Sequence, residues 1–341
     1  MEQEFTPFGI CASALIVSEE APEGEDRRPD HLLPAVMQGL GRGFPLLGPV
    51  AFRGAKAMND ASRLSRAAEG EPRLRSLANG QPRRGAALEL SVDGVAYALR
   101  YLPYPMPWDL QPRLHRPSRR FDPTSAIEAH DAHVVIRPKT KPADLAAARR
   151  DAAVVQALAA VLALRADLRA VLWGPSLGFQ SPLNARTAAS RAAHGEAPVE
   201  DWLKVVSLPV PPQLVGRPRE GQAALRVQGL YSLGLAPFLG REFEIAPSPS
   251  NALLGTRRLR ALAAMAIGAQ SFEDRNTVAV ETTNELLLAR ILQEGRVRRD
   301  PAVPSILFFP ADTVLDPETA DWRHSDPEKR SQLDRALRQC H

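Results

Sequence analysis

The sequence predicts an α/β (α+β) protein made of two ferredoxin-like βαββαβ halves, with mainly antiparallel sheets packed as one unit. Three observations support this class. Short apolar runs alternate with helical patterns, one β-hairpin carries an explicit turn signal, and the order strand, helix, strand, strand, helix, strand occurs twice. The chain has 341 residues, of which 44% are hydrophobic and 24% charged. A globular chain of this length can bury a sizeable core without covalent staples.

The first predicted half spans residues 8–137. Its hairpin is the clearest element, because two strands of period two flank Asp93-Gly94, the two-residue turn signal. The run FGICASALIV is short, apolar and rich in β-branched residues, which predicts a buried strand. In chain order we predict a strand at 8–17, a helix at 32–40, strands at 45–52, 87–92 and 95–101, a helix at 125–131 and a strand at 132–137.

A basic insertion at 53–84 interrupts this half. It contains eight basic residues against three acidic ones, and a solvated loop is the favoured interpretation. If the insertion binds a partner, its candidate interaction residues are Arg63, Arg66, Arg73 and Arg75. A nucleic-acid interface is the alternative hypothesis. It is disfavoured because the arginines are spread along the chain and aromatic residues make up only 6%.

A connecting helix at 138–167, a second ferredoxin-like half at 168–310 and a polar tail at 311–341 complete the predicted organisation. The apolar stripe at 144–164 places the long helix, and Ser250 is the expected N-cap of a later helix. The predicted elements of the second half are strands at 170–173, 202–208, 223–232, 277–281 and 305–309, with helices at 183–193 and from Ser250 to about Gly268.

The stretch AVLWGPS holds the strongest candidate binding residues. Trp173 ends a predicted strand, and Gly174-Pro175 turns the chain sharply after it. We expect the indole to pack over the sheet edge with its N–H reaching a loop carbonyl. The candidate interaction residues here are Trp173, Gly174, Pro175 and Ser176, together with Trp108 from the proline-rich stretch at 103–109.

Two patterns offer an enzymatic alternative. The string G-P-S-L-G around Ser176 matches the nucleophile-elbow pattern of hydrolases, although a proline precedes the serine. His130 and His133 form an H-x-x-H pair that could serve a metal-dependent enzyme, although helical zinc pairs are spaced by four residues. No third residue completes a catalytic triad around Ser176 or a metal site around the histidine pair. We therefore predict no catalytic residue, no metal and no cofactor.

Composition favours a cytoplasmic protein. The two cysteines, Cys11 and Cys340, lie near opposite ends, so no disulfide framework is expected and Cys11 is predicted to be a buried free thiol. The N-terminus is acidic and does not predict a secretory leader. The longest apolar run, about 152–164, is shorter than the roughly 20 residues that span a bilayer.

The order and spacing of four stretches resemble those of the bacterial domain of unknown function 4261 family. The stretches are IEAHDAHVVI (127–136), AVLWGPS (170–176), LYSLGLAPFLGREFEI (230–245) and YLPYPMPWD (101–109). The resemblance covers about residues 10–310. It implies one fold unit, no established chemistry, and a role as a toxin-neutralising (immunity) protein or a type VI secretion accessory protein.

The sequence thus predicts a non-enzymatic, cytoplasmic protein-binding module. The expected partner is another protein, such as a toxin or a secretion component. Nucleic acid is not the expected partner, no membrane span is expected, and the oligomeric state is left open.

Overall fold

A computed structural model of the chain describes residues 9–17, 32–58, 85–106, 121–165, 167–209, 228–248, 252–281, 285–293 and 304–310. The chain divides into two compact units, residues 1–202 (unit 1) and 203–341 (unit 2). Helices and strands mix in two mainly antiparallel sheets. This confirms the predicted α/β class.

Unit 1 contains seven strands in one sheet. The elements are β1 (Ala12–Ile16), α1 (Leu32–Gly43), β2 (Val50–Met58), β3 (Gly85–Val92), β4 (Val95–Leu102), α2 (Thr124–Ala129), β5 (Ala132–Pro138), α3 (Leu145–Leu162), β6 (Leu168–Trp173), β7 (Gly178–Gln180), α4 (Pro182–Ala193) and α5 (Val199–Trp202). The strand order is β2-β3-β4-β5-β1-β6-β7. Every neighbouring pair is antiparallel.

Different helices pack on the two faces of this sheet. Helix α3, buried along most of its length, packs against β1 and β5 on one face. The other face is covered near β1 and β6 by α2. Here Leu15, Met106, Ile127 and Leu172 share a buried cluster. The central strands are therefore buried on both sides, which explains why β1 reads as a continuous apolar run.

Local sequence signals set several element boundaries. Asp93 and Gly94 have positive φ angles of 48° and 79°, as the tight turn between β3 and β4 requires. Asp144 caps α3 by accepting the Ala147 N–H at 2.7 Å. Ser181 caps α4 by accepting the Asn184 N–H at 3.1 Å. Such side-chain acceptors satisfy backbone donors that have no partner in the first helical turn.

Unit 2 contains a mixed sheet of six strands. Its elements are β8 (Lys204–Pro209), β9 (Gln228–Leu233), α6 (Ala236–Leu239), β10 (Glu242–Ser248), α7 (Ala252–Ile267), β11 (Thr277–Val280), β12 (Glu285–Leu292) and β13 (Ser305–Pro310). The order is β11-β12-β13-β10-β9-β8, and β10 and β13 are parallel. Phe243, Phe272 and Phe308 pack edge to face, with centroids 5.2–5.6 Å apart.

The predicted division at residue 168 is wrong. Strand β6, expected to open the second half, pairs with β1 in the first sheet, where Leu15 lies opposite Ala170. The boundary falls after Trp202, which ends helix α5 instead of starting a strand. A seven-stranded sheet of this order is not a ferredoxin-like unit of four strands, so the repeated element order reflects no repeated fold.

The predicted limits of the basic insertion also need correction. Strand β2 continues to Met58, so Arg53 and Lys56 belong to an edge strand instead of a loop. The Arg53 guanidinium donates to the Gly94 carbonyl at 3.1 Å. Residues 45–47 form a 3-10 helix where a strand was predicted. Strands β7, β10 and β12 were not predicted.

Several predictions concern residues outside those the structure describes. They are the candidate interaction residues Arg63, Arg66, Arg73, Arg75 and Trp108, the expected N-cap Ser250, and the polar tail at 311–341. Within the described residues, none of the helices combines the length and the apolar character needed to cross a membrane.

Candidate functional site

Ser176 lies in a hairpin turn, not in a nucleophile elbow. Trp173 pairs with Gly178 across β6 and β7, and the Leu177 N–H donates to the Gly174 carbonyl at 3.2 Å to close the turn. An elbow needs a strand followed by a helix, with the serine hydroxyl exposed between them. Ser176 is instead 1% exposed and is followed by a strand. This geometry argues against Ser176 as a hydrolase nucleophile.

Gly174 allows the close approach of β1. Its N–H donates to the Cys11 carbonyl at 2.9 Å, and a Cβ at this position would overlap the Cys11 sulfur. Cys11 is a buried free thiol, as predicted. Burial raises its pKa to about 12, against a smaller opposing effect of Arg137. The thiol is therefore held in its unreactive, protonated form at neutral pH.

Trp173 is fully buried and stacks on Trp202. Their ring centroids lie 5.8 Å apart with an interplanar angle of 12°. The predicted hydrogen bond of the indole is not found, because Trp173 Nε1 has no partner among the described residues. Strand β7 lies beside β6, so Trp173 does not occupy a free sheet edge. Trp173 therefore belongs to the core of unit 1.

Two buried glutamines beside this stack were not predicted as a pair. The Gln156 amide on α3 donates to Gln180 Oε1 at 2.8 Å and to the Ala185 carbonyl at 3.1 Å. The Gln180 amide donates to the Asp201 carbonyl at 3.1 Å. This network ties α3, β7, α4 and α5 together. The sequence signal was Gln156 itself, a polar residue inside an apolar helical run.

His130 uses both ring nitrogens within the fold. Its Nε2 accepts the Met106 N–H at 2.9 Å, and its Nδ1 lies 2.6 Å from the Ile127 carbonyl. An accepting Nε2 requires a neutral ring that donates through Nδ1. His130 also follows the last residue of α2 and caps it. These bonds fix the chain at Met106 against α2 and occupy the nitrogens that a metal would need.

His133 is a second buried histidine, on β5. Its Nδ1 lies 2.8 Å from the Tyr104 carbonyl, and the Tyr104 ring packs against the imidazole edge to face at 5.7 Å. Burial lowers the pKa of His133 to about 4. No group of three or more potential metal ligands occurs among the described residues. The H-x-x-H pair is thus best explained as two structural histidines.

The pKa of His133 predicts a loss of stability in mild acid. Well above pH 6.5 the imidazole is neutral in both states, so its contribution is fully present. As pH falls from 6.5 towards 4, the unfolded chain binds the proton first and stability drops, by about 2 kcal/mol at pH 5. Urea unfolding followed by tryptophan fluorescence should show this slope, and His133→Gln should reduce it. Equal pH slopes for the two proteins would contradict the assignment.

Tyr97 and Asp151 form a buried pair between β4 and α3. The Tyr97 hydroxyl donates to Asp151 Oδ1 at 2.7 Å. Burial is the main cause that raises the pKa of both groups. The pair cross-links the sheet to its covering helix. The charge of Arg150 opposes the shift in both groups, and the pair has the character of a structural bond.

Glu242 is a buried carboxylate that accepts hydrogen bonds from four different donors. It is buried at the start of β10 and accepts the Ser232 hydroxyl at 2.6 Å. It also accepts the backbone N–H groups of Gly234, Leu235 and Ala236 at 2.9–3.1 Å. Burial raises its pKa, and these bonds oppose the shift. Glu242 therefore fixes the turn between β9 and β10, within the stretch LYSLGLAPFLGREFEI.

A groove of about 400 Å³ crosses the helical side of unit 1. Two exposed leucines contribute to it: Leu164, which follows α3 and is 62% exposed, and Leu183 of α4, which is 67% exposed. Its lining residues are Gly39, Gly43, Phe44, Ala160, Val161, Leu164, Leu183, Arg186, Thr187 and Ser190. We call this the α1/α3/α4 groove. No sequence pattern indicates this groove, because its walls come from three separate helices and the residues that follow two of them.

The comparisons with known proteins add no relative. No protein-family model, no curated protein and no solved structure matches this chain. The resemblance to the domain of unknown function 4261 family therefore remains a prediction based on its four sequence stretches.

Proposed function

We propose that this chain is a non-enzymatic protein-binding module, and that unit 1 receives an apolar helical segment of its partner in the α1/α3/α4 groove. The groove itself is the observation that carries the proposal. Single exposed leucines are common on protein surfaces. Here Leu164, which follows α3, and Leu183 of α4 contribute to one concave surface. Concave apolar surfaces of this kind bind amphipathic helices.

The weakness of the enzymatic alternative also supports binding. Ser176 is buried in a hairpin turn, and the ring nitrogens of His130 are engaged in holding the chain. Catalysis needs a nucleophile and a base within reach of each other and of a substrate. The described candidates are instead explained by their structural partners.

The lining of the groove indicates the chemistry of its occupant. Arg186 is the charged residue of the described lining, and no acidic side chain accompanies it there. Among described residues Arg186 also has no ion-pair partner. We therefore propose a partner helix that presents apolar residues at i and i+4 to the two leucines. A neighbouring carboxylate would bind the Arg186 guanidinium, which suits carboxylates in a bidentate geometry.

The resemblance suggests a narrower form of this proposal. If the chain acts as an immunity or type VI secretion accessory protein, the partner is a toxin or a secretion component and the chain works in the cytoplasm. The buried free thiol of Cys11 suits a reducing compartment.

A glycine at the end of α1 offers a direct test. A Cβ at Gly43 or at Gly41 would meet no atom within 4 Å, but only Gly43 is part of the groove lining. Gly43→Leu should fill the groove, and Gly41→Leu is the matched control on the same helix. Neither change should destabilise the fold, because leucine favours helix more than glycine does.

Binding is measured with a display library of 18-residue amphipathic helices carrying Leu and Glu. We expect the selected peptides to bind the Gly43→Leu variant at least about tenfold more weakly than the original protein. The same peptides should bind the Gly41→Leu variant with unchanged affinity. In source cells, a photo-crosslinker at Thr187 should capture a protein that Gly43→Leu releases. Failure to select any helical peptide, or equal effects of the two variants on binding, would overturn the proposal.

A further inference from the structure

Residues 103–106 follow β4 and are buried on the side of the sheet that α2 covers. Their sequence is Pro-Tyr-Pro-Met. Because proline has no backbone N–H, only Tyr104 and Met106 can donate from the main chain, and the segment cannot continue the ladder of β4. The Met106 side chain is 4% exposed and packs in the cluster that contains Leu15 and Leu172. We call this segment the 103–106 strap.

Two buried imidazoles hold the backbone of the strap. The Met106 N–H donates to His130 Nε2 at 2.9 Å, and His133 Nδ1 lies 2.8 Å from the Tyr104 carbonyl. The Tyr104 ring also packs edge to face on the imidazole of His133, with centroids 5.7 Å apart. Both residues of the strap that are not proline are therefore attached to a histidine.

These attachments require neutral rings. His130 Nε2 has to be unprotonated, because a protonated ring nitrogen donates and cannot accept the Met106 N–H. The ring proton is then on Nδ1, which lies 2.6 Å from the Ile127 carbonyl. His133 is also neutral while the strap is closed, since burial lowers its pKa to about 4. The closed strap therefore excludes a second proton from each ring.

The groups around the two rings add to this preference. The charged and titratable side chains on the elements packed there are Glu128, Asp131, Arg100, Arg137, Tyr104 and Cys11. The first of these is exposed and the second half-exposed, so water screens their attraction for an imidazolium. The two arginines lie on the same face of the sheet as His133 and disfavour its charged form. The charge of His130 lowers the pKa of His133 further.

We infer that the 103–106 strap is a proton-sensitive closure, which uptake of protons by His130 and His133 releases, so that the apolar cluster beneath Met106 is uncovered. The inference concerns unit 1 alone and does not depend on the α1/α3/α4 groove. Release of the strap breaks the two histidine bonds and leaves the strand ladders intact, so it is a local opening that precedes global unfolding. Histidine protonation triggers conformational switches of this kind in mild acid.

The direction of the pH dependence follows from the protons bound in each state. Well above pH 6.5 both rings are neutral whether the strap is closed or released, so the closed strap keeps its full stability. As pH falls below 6.5, the released strap takes up protons that the closed strap excludes. With a pKa of about 4 in the closed strap, His133 alone should raise the equilibrium constant for release about sevenfold between pH 6 and pH 5.

The test measures amide hydrogen exchange by NMR in the full chain at pH 7, 6 and 5, corrected for the intrinsic pH dependence of exchange. The opening constant of the Met106 amide should rise at least about fivefold from pH 6 to pH 5. The amides of Val171 and Leu172 on β6 are the internal control and should not follow this rise. A dye that binds apolar surface should gain fluorescence over the same pH range.

A double variant removes the titration and keeps the bonds. In His130→Gln with His133→Asn, the glutamine oxygen can accept the Met106 N–H and the asparagine amide can donate to the Tyr104 carbonyl. The opening constant of Met106 should then change less than twofold between pH 6 and pH 5. His194→Asn is the matched control, because His194 is an exposed histidine after α4, and it should behave as the original protein.

Three results would overturn the inference. They are a rise of the β6 amides equal to that of Met106, an equal rise of Met106 in the double variant, and a Met106 amide that stays protected after both imidazoles are protonated. The last is read in the original protein from the ¹⁵N shifts of the imidazoles. It decides the question even if the double variant does not fold.

Discussion

Replacing Glu242 by leucine is expected to destabilise unit 2 by about 3–5 kcal/mol, a loss typical of broken buried polar networks. The change removes the acceptor of the Ser232 hydroxyl and of three consecutive backbone N–H groups. These donors lie in a turn with little access to water, so they remain unpaired. The same hydroxyl accepts the Phe243 N–H at 2.7 Å. Loss of the carboxylate thus loosens the pairing of β9 with β10.

Amide hydrogen exchange of β9 and β10 measures this effect within unit 2. Glu242→Gln should cost less than the leucine variant, because the amide oxygen still accepts some of the backbone donors. Glu281→Leu is the matched control, since Glu281 is exposed, and it should change stability by no more than about 0.5 kcal/mol. Exchange rates in Glu242→Leu equal to those in Glu281→Leu would show that the carboxylate does not hold the turn.

Local signals predicted the elements that depend on local structure. The Asp93-Gly94 turn specifies the β3/β4 hairpin because its backbone conformation is needed at that point whatever surrounds it. The apolar stripe and Asp144 cap specify α3 in the same way. Short strands without such signals were missed. β7 has only three residues, and β10 begins at a charged residue, Glu242, which reads as exposed until its four donors are known.

Strand pairing between distant parts of the chain was the main feature that the sequence did not reveal. β1 has two partners, β5 and β6, and element order alone cannot distinguish β6 as a neighbour of β1 from β6 as the first strand of another sheet. The error moved the domain boundary from residue 202 to 168. Because a repeated element order does not determine strand order, it gave no evidence of a duplicated fold.

The candidate binding residues show the same limit. The stretch AVLWGPS drew attention because tryptophan, glycine and proline together mark a turn beside a large side chain. These features are needed here for packing: Gly174 lies against Cys11, and Trp173 stacks on Trp202. The residues that line the α1/α3/α4 groove form no recognisable pattern in the sequence. They form one surface only when three separate helices are brought together.

Replacing Trp173 by alanine is expected to cost unit 1 about 3–5 kcal/mol, as other buried aromatic truncations do. Trp173 is fully buried, and its removal leaves the Trp202 ring without its stacking partner. The cavity would open beside the Gln156–Gln180 network, whose bonds at 2.8 and 3.1 Å depend on the same packing. Urea unfolding followed by far-UV circular dichroism should record the loss. Leu183→Ala is the exposed control in the same unit and should change stability little.

Trp173→Phe separates the role of the ring from that of its N–H group. Trp173 Nε1 has no hydrogen-bond partner among the described residues, so replacing the indole by phenylalanine breaks no hydrogen bond. The smaller ring removes only part of the apolar volume and still stacks on Trp202. We therefore expect Trp173→Phe to cost less than half as much as Trp173→Ala. If the two variants were equally destabilised, the indole N–H would have a partner that matters to stability. In that case Trp173 would act through a polar contact, as the sequence first suggested, and not through packing.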